Sequence, residues 1–357
     1  MLARLIHSEF FHLITSRAAM AGLGAFLVSV VMGARVITML KKYKLGEKTE
    51  KGDSRVLDGL MKQKRDTPTM GGIFLVAAML VAVACFGVFH DKTLYILVGT
   101  VLALCGLGCV DDWLKLSGRS KTGMRDRTKL LGQIVIGYAA GVALYFVLMK
   151  TDPDHAAKVY VPWVGSMDLG LWYPAFVMLV IVSTSNAVNI TDGLDGLAGG
   201  CMAISSLAYV LVAYAVGRVD FSAYLGVPYV HAAPESAVFC AAMLGATLGF
   251  LWYNSHPAQV FMGDSGSLPL GGALGLVACI TKQETLLFFV GGVFVIEAAS
   301  SLIQIAWFKM TGRRVFKIAP LHHHFQFGGM PETKITQRFW IGAAVLAVMS
   351  LATLKIR

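Results

Sequence analysis

Three aspartates are the residues of this sequence best suited to chemistry. Asp111 and Asp112 close a long apolar stretch, and Asp264 opens another within the run FMGDSGS. The dipole at the end of a helix disfavours a carboxylate by about 0.3–1 kcal/mol, and a bound divalent cation would reverse that preference. Adjacent helical residues point about 100° apart, so one aspartate can bind an ion while the other exchanges a proton. A solvated helix end beside Lys115 is the alternative explanation of the pair.

Asp264 lies among glycines and serines at the expected start of a helix. Free backbone N–H groups there can hold phosphate oxygens, but a carboxylate repels phosphate unless a metal ion bridges the two. Carboxylate ligands without cysteine suit Mg²⁺ or Mn²⁺. We therefore expect Asp264 to bind the metal, with Ser265 and Ser267 acting only as helix caps as the alternative.

A second polar set consists of Asn189, Asp192 and Asp195, spaced three residues apart in the run NAVNITDGLDG. If the run is helical, the three side chains form one polar ridge. Gly193 and Gly196 would let another backbone or a ligand approach closely. The alternative is an N-cap and first helical turn, although a cap needs one residue rather than three.

Histidines 322–324 lack the spacing of a zinc site, because consecutive side chains cannot easily converge on one ion and the sequence has no HExxH motif. They suit polar and anionic substrate groups, unless they form a solvated basic loop. Glu297 and Gln304 lie seven residues apart in an apolar segment, and polar residues at depth in a membrane are functional candidates. Gln304 is the better substrate contact, whereas Glu297 can instead pair with Arg35.

The chain that positions these residues is too apolar for a soluble protein. Of its 357 residues, 56% are apolar and 15% are charged, whereas soluble domains have about 45–50% and about 25%. The net charge of +10 indicates unequal charge on the two faces of a membrane rather than a nucleic-acid partner. The six cysteines have neither metal nor disulfide spacing, and no removable signal peptide is expected.

Ten apolar segments are candidates to cross the membrane. They run at 18–40, 70–89, 94–110, 130–149, 171–188, 197–216, 237–253, 267–280, 285–308 and 339–354. The eighth is short, Gly-rich and contains Pro269, so a re-entrant segment is the alternative. Twenty of the 31 Lys and Arg residues fall in 41–69, 111–129 and 309–335, and an even number of spans keeps these three loops cytoplasmic. We expect an all-α polytopic membrane protein with about ten helices, both termini periplasmic, the polar motifs at the cytoplasmic face, and an outer loop at 151–172 that can hold a short hairpin.

Carboxylates, a hard metal ion, helix starts and scattered cations together favour phosphoryl transfer. The sequence has no Walker A motif or kinase loop, and a site at the surface of a helical membrane protein implies a lipid substrate. A membrane transporter is the remote alternative, because its polar groups would lie near the bilayer midplane on broken helices.

Five runs resemble motifs of the polyprenyl-phosphate N-acetylhexosamine-1-phosphate transferase superfamily: TPTMGG, DDWLK, NAVNITDGLDGLAGG, FMGDSGS and APLHHHF. The resemblance covers almost the whole chain, and PLHHHF favours the peptidoglycan branch over UDP-GlcNAc polyprenyl-phosphate GlcNAc-1-phosphate transferases, which remain the alternative. Gln326 departs from the glutamate expected after HHHF and puts one local contact in doubt. The resemblance implies a single domain over 1–357 in the bacterial cytoplasmic membrane. With Mg²⁺ the protein would convert UDP-MurNAc-pentapeptide and undecaprenyl phosphate into lipid I and UMP. The resemblance is also compatible with a homodimer in the lipid bilayer.

The resemblance also assigns roles by position. Asp111, Asp112 and Asp264 would be the catalytic aspartates. The nucleotide pocket would contain Asn189, Asp192, Asp195, Asn254 and Phe261, with the phenyl ring stacked on uracil. The sugar, phosphate and peptide region would contain Lys64, Thr69, Ser267, Gln304, His322, His323 and His324. Two mechanisms remain open: direct attack by the lipid phosphate assisted by Asp111, which we favour, and a phospho-aspartate intermediate.

Overall fold

Apolar helices make up most of the structure, a computed structural model that describes residues 13–42, 67–117, 123–161 and 164–355. In chain order they are α1 (Ile14–Lys42), α2 (Gly72–Phe86), α3 (Lys92–Leu116), α4 (Asp126–Thr151), α5 (Tyr173–Thr191), α6 (Leu197–Val216), α7 (Val219–Leu225), α8 (Ala233–Asn254), α9 (Asp264–Ile280), α10 (Leu287–Val290), α11 (Gly292–Thr311), α12 (Leu321–Phe327) and α13 (Glu332–Thr353). Eight of them are long and apolar enough to cross a membrane, and α2 and α9 are shorter apolar helices. This is the architecture of a polytopic membrane protein.

Helix α9 lies at the centre of the bundle, where it packs against α2, α3 and α5. All 17 of its residues are buried. A Cβ atom at Gly271 would overlap with the carbonyl oxygen of Thr184 on α5, so the missing side chain is what lets the two helices approach. The eighth apolar segment is short and Gly-rich because protein, rather than lipid, surrounds it.

Two short runs of polar and small residues are joined side by side just before α2 and α9. The N–H groups of Gly71 and Gly72 donate to the carbonyl oxygens of Phe261 and Met262, at 2.9 Å each, and the N–H of Phe261 donates to Pro68 at 2.8 Å. Helix α2 therefore begins at Gly72, after an extended stretch whose backbone hydrogen bonds go to the second run. This pairing brings the TPTMGG and FMGDSGS motifs together.

The predicted single span at 285–308 is wrong in one respect, because the structure divides it into α10 and α11 at Gly291. The carbonyl oxygen of Val290, at the end of α10, accepts a hydrogen bond from the hydroxyl of Ser205 at 2.9 Å. A side chain from α6 thus satisfies a backbone group at the break.

The hairpin expected in the loop at 151–172 is confirmed. Strand β1 (Lys158–Val161) pairs antiparallel with β2 (Gly165–Asp168), and Lys158 lies opposite Asp168. The buried ammonium group of Lys282, which follows α9, donates to the carbonyl oxygen of Ala156 at 2.8 Å. The hairpin follows the end of α4 and is therefore a helix length away from the residues at the start of α4.

Candidate active site

Three aspartates and two lysines meet at one end of the bundle. Lys115 Nζ lies 2.7 Å from Asp111 Oδ2 and 3.0 Å from Asp264 Oδ2. Lys129 Nζ, on the first turn of α4, lies 2.6 Å from the same Asp264 oxygen. Asp111 and Asp112 are each only 2% exposed, and Asp264 is 7% exposed. The cluster therefore joins α3, α4 and α9 through buried charges that are paired, as buried charges must be.

A glycine contact sets the distance between α3 and α9 at this point. Gly108 lies one turn before Asp111 and Asp112, and a Cβ atom there would overlap with the backbone carbonyl oxygen of Asp264. Gly263, which precedes α9, has a φ of +70°, a conformation that favours glycine. A Cβ on Gly263 would also lie 2.6 Å from Asp112 Oδ2. A side chain at either glycine would move Asp111 and Asp112 on α3 away from Asp264 on α9.

Asp112 binds the start of α9 through both of its carboxylate oxygens. Oδ1 accepts from the N–H of Asp264 at 3.1 Å, and Oδ2 accepts from the N–H of Ser265 at 3.0 Å. The expectation that these N–H groups are free to hold phosphate oxygens is therefore wrong, because a side chain from α3 already uses them. Asp112 acts here as a cap supplied by a neighbouring helix.

The donor set of this cluster fits a hard divalent cation. One carboxylate oxygen each of Asp111, Asp112 and Asp264 lies within 4.8 Å of the others, and all the donors are oxygen atoms, as Mg²⁺ or Mn²⁺ requires. Three carboxylates and two ammonium groups give a net charge of about −1, and a divalent cation would change it to about +1, which attracts phosphate. Both oxygens of Asp112 accept backbone N–H groups, whereas Asp111 accepts one such bond and Asp264 accepts from side chains. Asp111 and Asp264 are therefore better placed to hold the ion.

The predicted ridge of Asn189, Asp192 and Asp195 is wrong, because α5 ends at Thr191 and Asp192 is its C-cap. Asn189 points into the aspartate cluster, where Nδ2 donates to Asp264 Oδ1 at 2.6 Å and to Ser267 Oγ at 2.8 Å. Asp192 is half-buried in the following turn. Gly196, with a φ of +75°, completes the reversal into α6. The chain therefore turns after Thr191, and the left-handed conformation of Gly196 belongs to this turn.

The backbone at 195–196 is held by one face of α13. Glu332 Oε1 accepts from the N–H of Asp195 at 2.7 Å, and the hydroxyl of Thr336 donates to its carbonyl oxygen at 3.3 Å. Trp340 Nε1 then donates to the carbonyl oxygen of Gly196 at 3.1 Å. These three residues are spaced four apart and therefore share a helix face, so the last long helix fixes the turn between α5 and α6.

The side chain of Asp195 binds the loop that follows α8. Its Oδ2 accepts from the N–H of Ala258 at 3.1 Å and lies 3.0 Å from His256 Nδ1. Asp195, His256 and Glu332 have ligand atoms within 4.8 Å of one another. Their hydrogen bonds to each other and to the backbone account for this proximity.

Four further residues of the predicted site are Asn254 and Phe261, expected at the nucleotide, and Thr69 and Lys64, expected at the sugar, the phosphates and the peptide. Asn254 is buried, and its amide links two loops by accepting from the N–H of Gly196 at 3.0 Å and donating to the carbonyl oxygen of Val260 at 2.8 Å. Phe261 is half-buried beside it. Thr69 is buried next to Gly263, whose Cβ position lies 3.0 Å from Thr69 Oγ1. Lys64 lies outside the described residues.

The histidine run and α11 are held together by hydrogen bonds. Glu297 pairs with His322, at 3.0 Å between Oε2 and Nδ1. The expected alternative pairing with Arg35 is therefore wrong, because the arginine side chain is exposed on α1. Gln304 donates to the carbonyl oxygen of Phe316 at 3.1 Å and accepts from its N–H at 2.9 Å. Its amide thus holds the loop that precedes the histidines.

The remaining two histidines have partners of their own. His323 Nδ1 lies 3.0 Å from Gln326 Oε1, and His324 Nδ1 accepts from the N–H of Lys317 at 3.1 Å. The three rings therefore turn to three different partners. Gln326, where the family pattern expects glutamate, keeps an acceptor oxygen toward His323.

Sequence reasoning gave no site role to four residues that complete this region: Lys115, Lys129, His256 and Glu332. Lys115 had a local signal, because a lysine four residues after Asp111 is placed to pair with it on a helix. The partners of His256 and Glu332 are far away in sequence, so spacing alone carries no information about them.

Comparisons with known proteins agree with these motifs. Residues 94–282 match glycosyl transferase family 4. The chain is 44% identical to a phospho-N-acetylmuramoyl-pentapeptide-transferase of Solidesulfovibrio magneticus, over 97% of this chain and 95% of the relative. Relatives of the same name from Thermodesulfovibrio yellowstonii and Desulforapulum autotrophicum are 43% and 42% identical, over 97% and 99% of this chain and 95% and 98% of theirs. Since these matches span nearly the full length of both chains, the chain belongs to the phospho-N-acetylmuramoyl-pentapeptide-transferase family.

Proposed function

We propose that this protein transfers phospho-MurNAc-pentapeptide from UDP-MurNAc-pentapeptide to undecaprenyl phosphate, giving lipid I and UMP. The observation that carries the proposal is the full-length match to transferases of that name, combined with a buried cluster of acids and lysines that suits phosphoryl transfer. Nothing observed favours UDP-GlcNAc as the donor.

The proposed arrangement in the membrane has ten spans, with both termini periplasmic and the aspartate cluster at the cytoplasmic face of the bacterial inner membrane. The distribution of Lys and Arg supports this orientation, with 20 of 31 in the segments 41–69, 111–129 and 309–335. The central, fully buried α9 would make the eighth span. The whole chain, 1–357, would be one integral membrane domain, and the lipid substrate would reach the cluster from the bilayer.

In the proposed reaction, an oxygen of the lipid phosphate forms a bond to the phosphorus next to the sugar of the UDP-sugar. The bond from that phosphorus to the bridging oxygen breaks, and UMP leaves with the electron pair. Mg²⁺ held by Asp264 and Asp111 would neutralise charge on the pyrophosphate. Lys115 and Lys129, which already contact Asp264, would offset the charge that moves to the leaving UMP.

Direct attack is favoured over a phospho-aspartate by the contacts of the three acids. Asp111 Oδ1 accepts from the N–H of Met124 at 2.6 Å, and its Oδ2 lies 2.7 Å from Lys115 Nζ. Asp264 Oδ2 faces two ammonium groups, at 2.6 and 3.0 Å, and both oxygens of Asp112 accept backbone hydrogen bonds. A carboxylate so engaged is a weak nucleophile, because these partners stabilise its negative charge. The lipid phosphate is already an anion near neutral pH and needs little activation.

The remaining residues are proposed to bind the donor. The uridine would occupy the region of Asn189, Asp192, Asp195, Asn254 and Phe261, with the ring of Phe261 stacked on uracil. The sugar, the phosphates and the peptide would lie near Lys64, Thr69, Ser267, Gln304 and histidines 322–324. Many of these side chains hold the loops to one another, so their role would include shaping the pocket.

The test is Mg²⁺-dependent UMP release by the purified protein with undecaprenyl phosphate and either UDP-MurNAc-pentapeptide or UDP-GlcNAc. We expect release with the first donor only, and Mn²⁺ should replace Mg²⁺. Asp264→Asn should lower the rate more than about 100-fold, because metal and charge stabilisation supply several kcal/mol of the catalysis. The exposed Asp220 supplies the matched control, and Asp220→Asn should stay within about twofold of wild type, because it removes no buried interaction.

Three outcomes would contradict the proposal. Release with UDP-GlcNAc alone would assign the protein to the sister reaction. Full activity of Asp264→Asn would remove that residue from the metal site. Exchange of labelled UMP into the donor without lipid phosphate would favour the phospho-aspartate route.

A further inference from the structure

The start of α12 is tied to α11 by two buried side chains. Ser300 Oγ accepts from the N–H of Leu321 at 3.1 Å. The carboxylate of Glu297, one turn earlier, accepts from the N–H of His322 at 3.1 Å. These are the first backbone N–H groups of the short helix, which have no partner within it. The first histidine of the run is therefore fixed to the long helix through its backbone.

Glu297 also orients the His322 ring. Its Oε2 lies 3.0 Å from Nδ1, and both side chains are buried, at 0% and 1% exposure. A carboxylate has no proton to donate, so Nδ1 carries the hydrogen of this bond. In the neutral ring the other nitrogen, Nε2, is then an acceptor with a free lone pair.

Nε2 faces Gly193 in the turn between α5 and α6. The atom is buried and has no hydrogen-bond partner among the residues that the structure describes. A Cβ atom at Gly193 would overlap with it. Gly193 does not have a positive φ, so the ring of His322, rather than the backbone conformation, is what leaves room only for glycine. An N–H at this position would need an acceptor that the described residues do not offer, which again favours the tautomer with hydrogen on Nδ1.

We propose that Glu297 is a positioning residue for binding of the nucleotide sugar: it holds the His322 ring against Gly193, and so fixes the turn that carries Asp192 and Asp195. The proposal rests on the proposed function, since it gives that turn a role in donor binding. The turn is held on its other side by Glu332 through the N–H of Asp195, at 2.7 Å. The Glu297–His322 pair is the matching support on the side of α11.

Glu297→Gln tests the pair, because an amide keeps the size of the side chain but places an NH₂ group where a carboxylate oxygen accepted. One of the two His322 donors then loses its acceptor, or the ring changes tautomer. Loss of a charge-assisted hydrogen bond should raise the KM for UDP-MurNAc-pentapeptide about tenfold or more. The KM for undecaprenyl phosphate should stay within about twofold, since the proposed site of the lipid phosphate is the aspartate cluster rather than this turn. Glu297→Asp keeps the charge and should recover part of the donor KM.

The control is Glu235→Gln, which removes another buried membrane carboxylate, paired with Arg17 at 2.7 Å. Glu235 lies about 28 Å along α8 from Asn254, so its loss should lower thermal stability without changing the donor KM. A purely structural role of Glu297 would give the same pattern as this control. That result, or equal increases in both KM values, would overturn the proposal.

The tautomer of His322 gives a readout that does not depend on turnover. In ¹⁵N-histidine-labelled wild type, with the signal assigned by its loss in His322→Gln, we expect a protonated Nδ1 and an unprotonated Nε2. A proton on Nε2 alone would overturn the proposal. Gly193→Ala serves if Glu297→Gln does not fold, and it should raise the donor KM in the same selective way. An inactive wild type with the expected tautomer would count against the proposed function, not against the pairing.

Discussion

Asp112→Asn should weaken the start of α9 even without metal or substrate. Both oxygens of Asp112 accept backbone N–H groups, at 3.1 and 3.0 Å, from the first residues of that helix. Asparagine has one oxygen and one NH₂ group, so one of the two N–H groups would face a donor in a buried site. Loss of a hydrogen bond to a charged group costs about 1.5–3 kcal/mol, and an unsatisfied buried donor adds about 1–3 kcal/mol. If a total near 3 kcal/mol is added to the activation free energy of the reaction, UMP release slows roughly 100-fold.

Thermal unfolding in EDTA separates this effect from metal binding. The buried thiols of Cys201, Cys240 and Cys279 let a thiol-reactive dye report the transition in detergent. Asp112→Asn should unfold at a clearly lower temperature than wild type. Asp111→Asn is the matched control. It should lower the transition less than Asp112→Asn, because Lys115 keeps Asp264 as a partner at 3.0 Å and the amide oxygen of the new side chain can still accept from Met124, as Oδ1 does now.

Equal unfolding temperatures for wild type and Asp112→Asn in EDTA would refute this reasoning. The carboxylate would then matter as a metal ligand or proton carrier, and its bonds to α9 would be incidental. A larger loss of stability in Asp111→Asn than in Asp112→Asn would also contradict it. Either result would change which aspartates are assigned to the ion.

Gly108→Ala should lower activity strongly by forcing α3 and α9 apart, because an overpacked contact destabilises a protein by about 1–3 kcal/mol. Gly106→Ala has open space around its Cβ position and should match wild type. Equal activities of the two variants would contradict the close contact. Thr336→Val removes the hydroxyl that donates a 3.3 Å hydrogen bond to the turn after α5 and should raise the donor KM about 2–10-fold. The exposed Thr333→Val on the same helix should not, and a similar effect of both would show that helix stability is responsible. Burial lowers the pKa of Lys282 from 10.5 to about 8, so the unfolded chain binds more protons between these values and wild-type stability should rise with pH across that window. Lys282→Met should remove this rise, and identical pH profiles for the two proteins would show that the lysine does not titrate there.

The helices and the acids of the site could be predicted from the sequence because both depend on local information. Each of the ten apolar segments overlaps an apolar helix of the structure, since lipid and core both select apolar side chains over the length of a span. Asp111, Asp112 and Asp264 stood out because carboxylates at the ends of apolar segments are costly without a partner. The glycine at 193 also predicted a close approach, although what approaches it is a histidine.

The partners of these residues could not be predicted, because they come from distant parts of the chain. Lys129 reaches Asp264 across 135 residues, and Asp112 reaches the start of α9 across more than 150. The spacing of Asn189, Asp192 and Asp195 suggested one ridge, but the helix ends at Thr191. Asn189 therefore reaches Asp264 on α9, whereas Asp195 reaches His256 in the loop after α8.

By itself, the sequence determined that this chain is a bundle of apolar helices with a few acidic, histidine-rich and glycine-rich runs at their ends, because hydropathy and turn chemistry act over one segment at a time. Only the tertiary structure decided how those ends face each other. The overlap that a Cβ at Gly108 would meet and the bonds from Asp112 to α9 set the distance between the aspartates. Glu297 pairs with His322 because packing buries the two side chains next to each other. Such contacts depend on distances between packed helices, and no period within one segment encodes them.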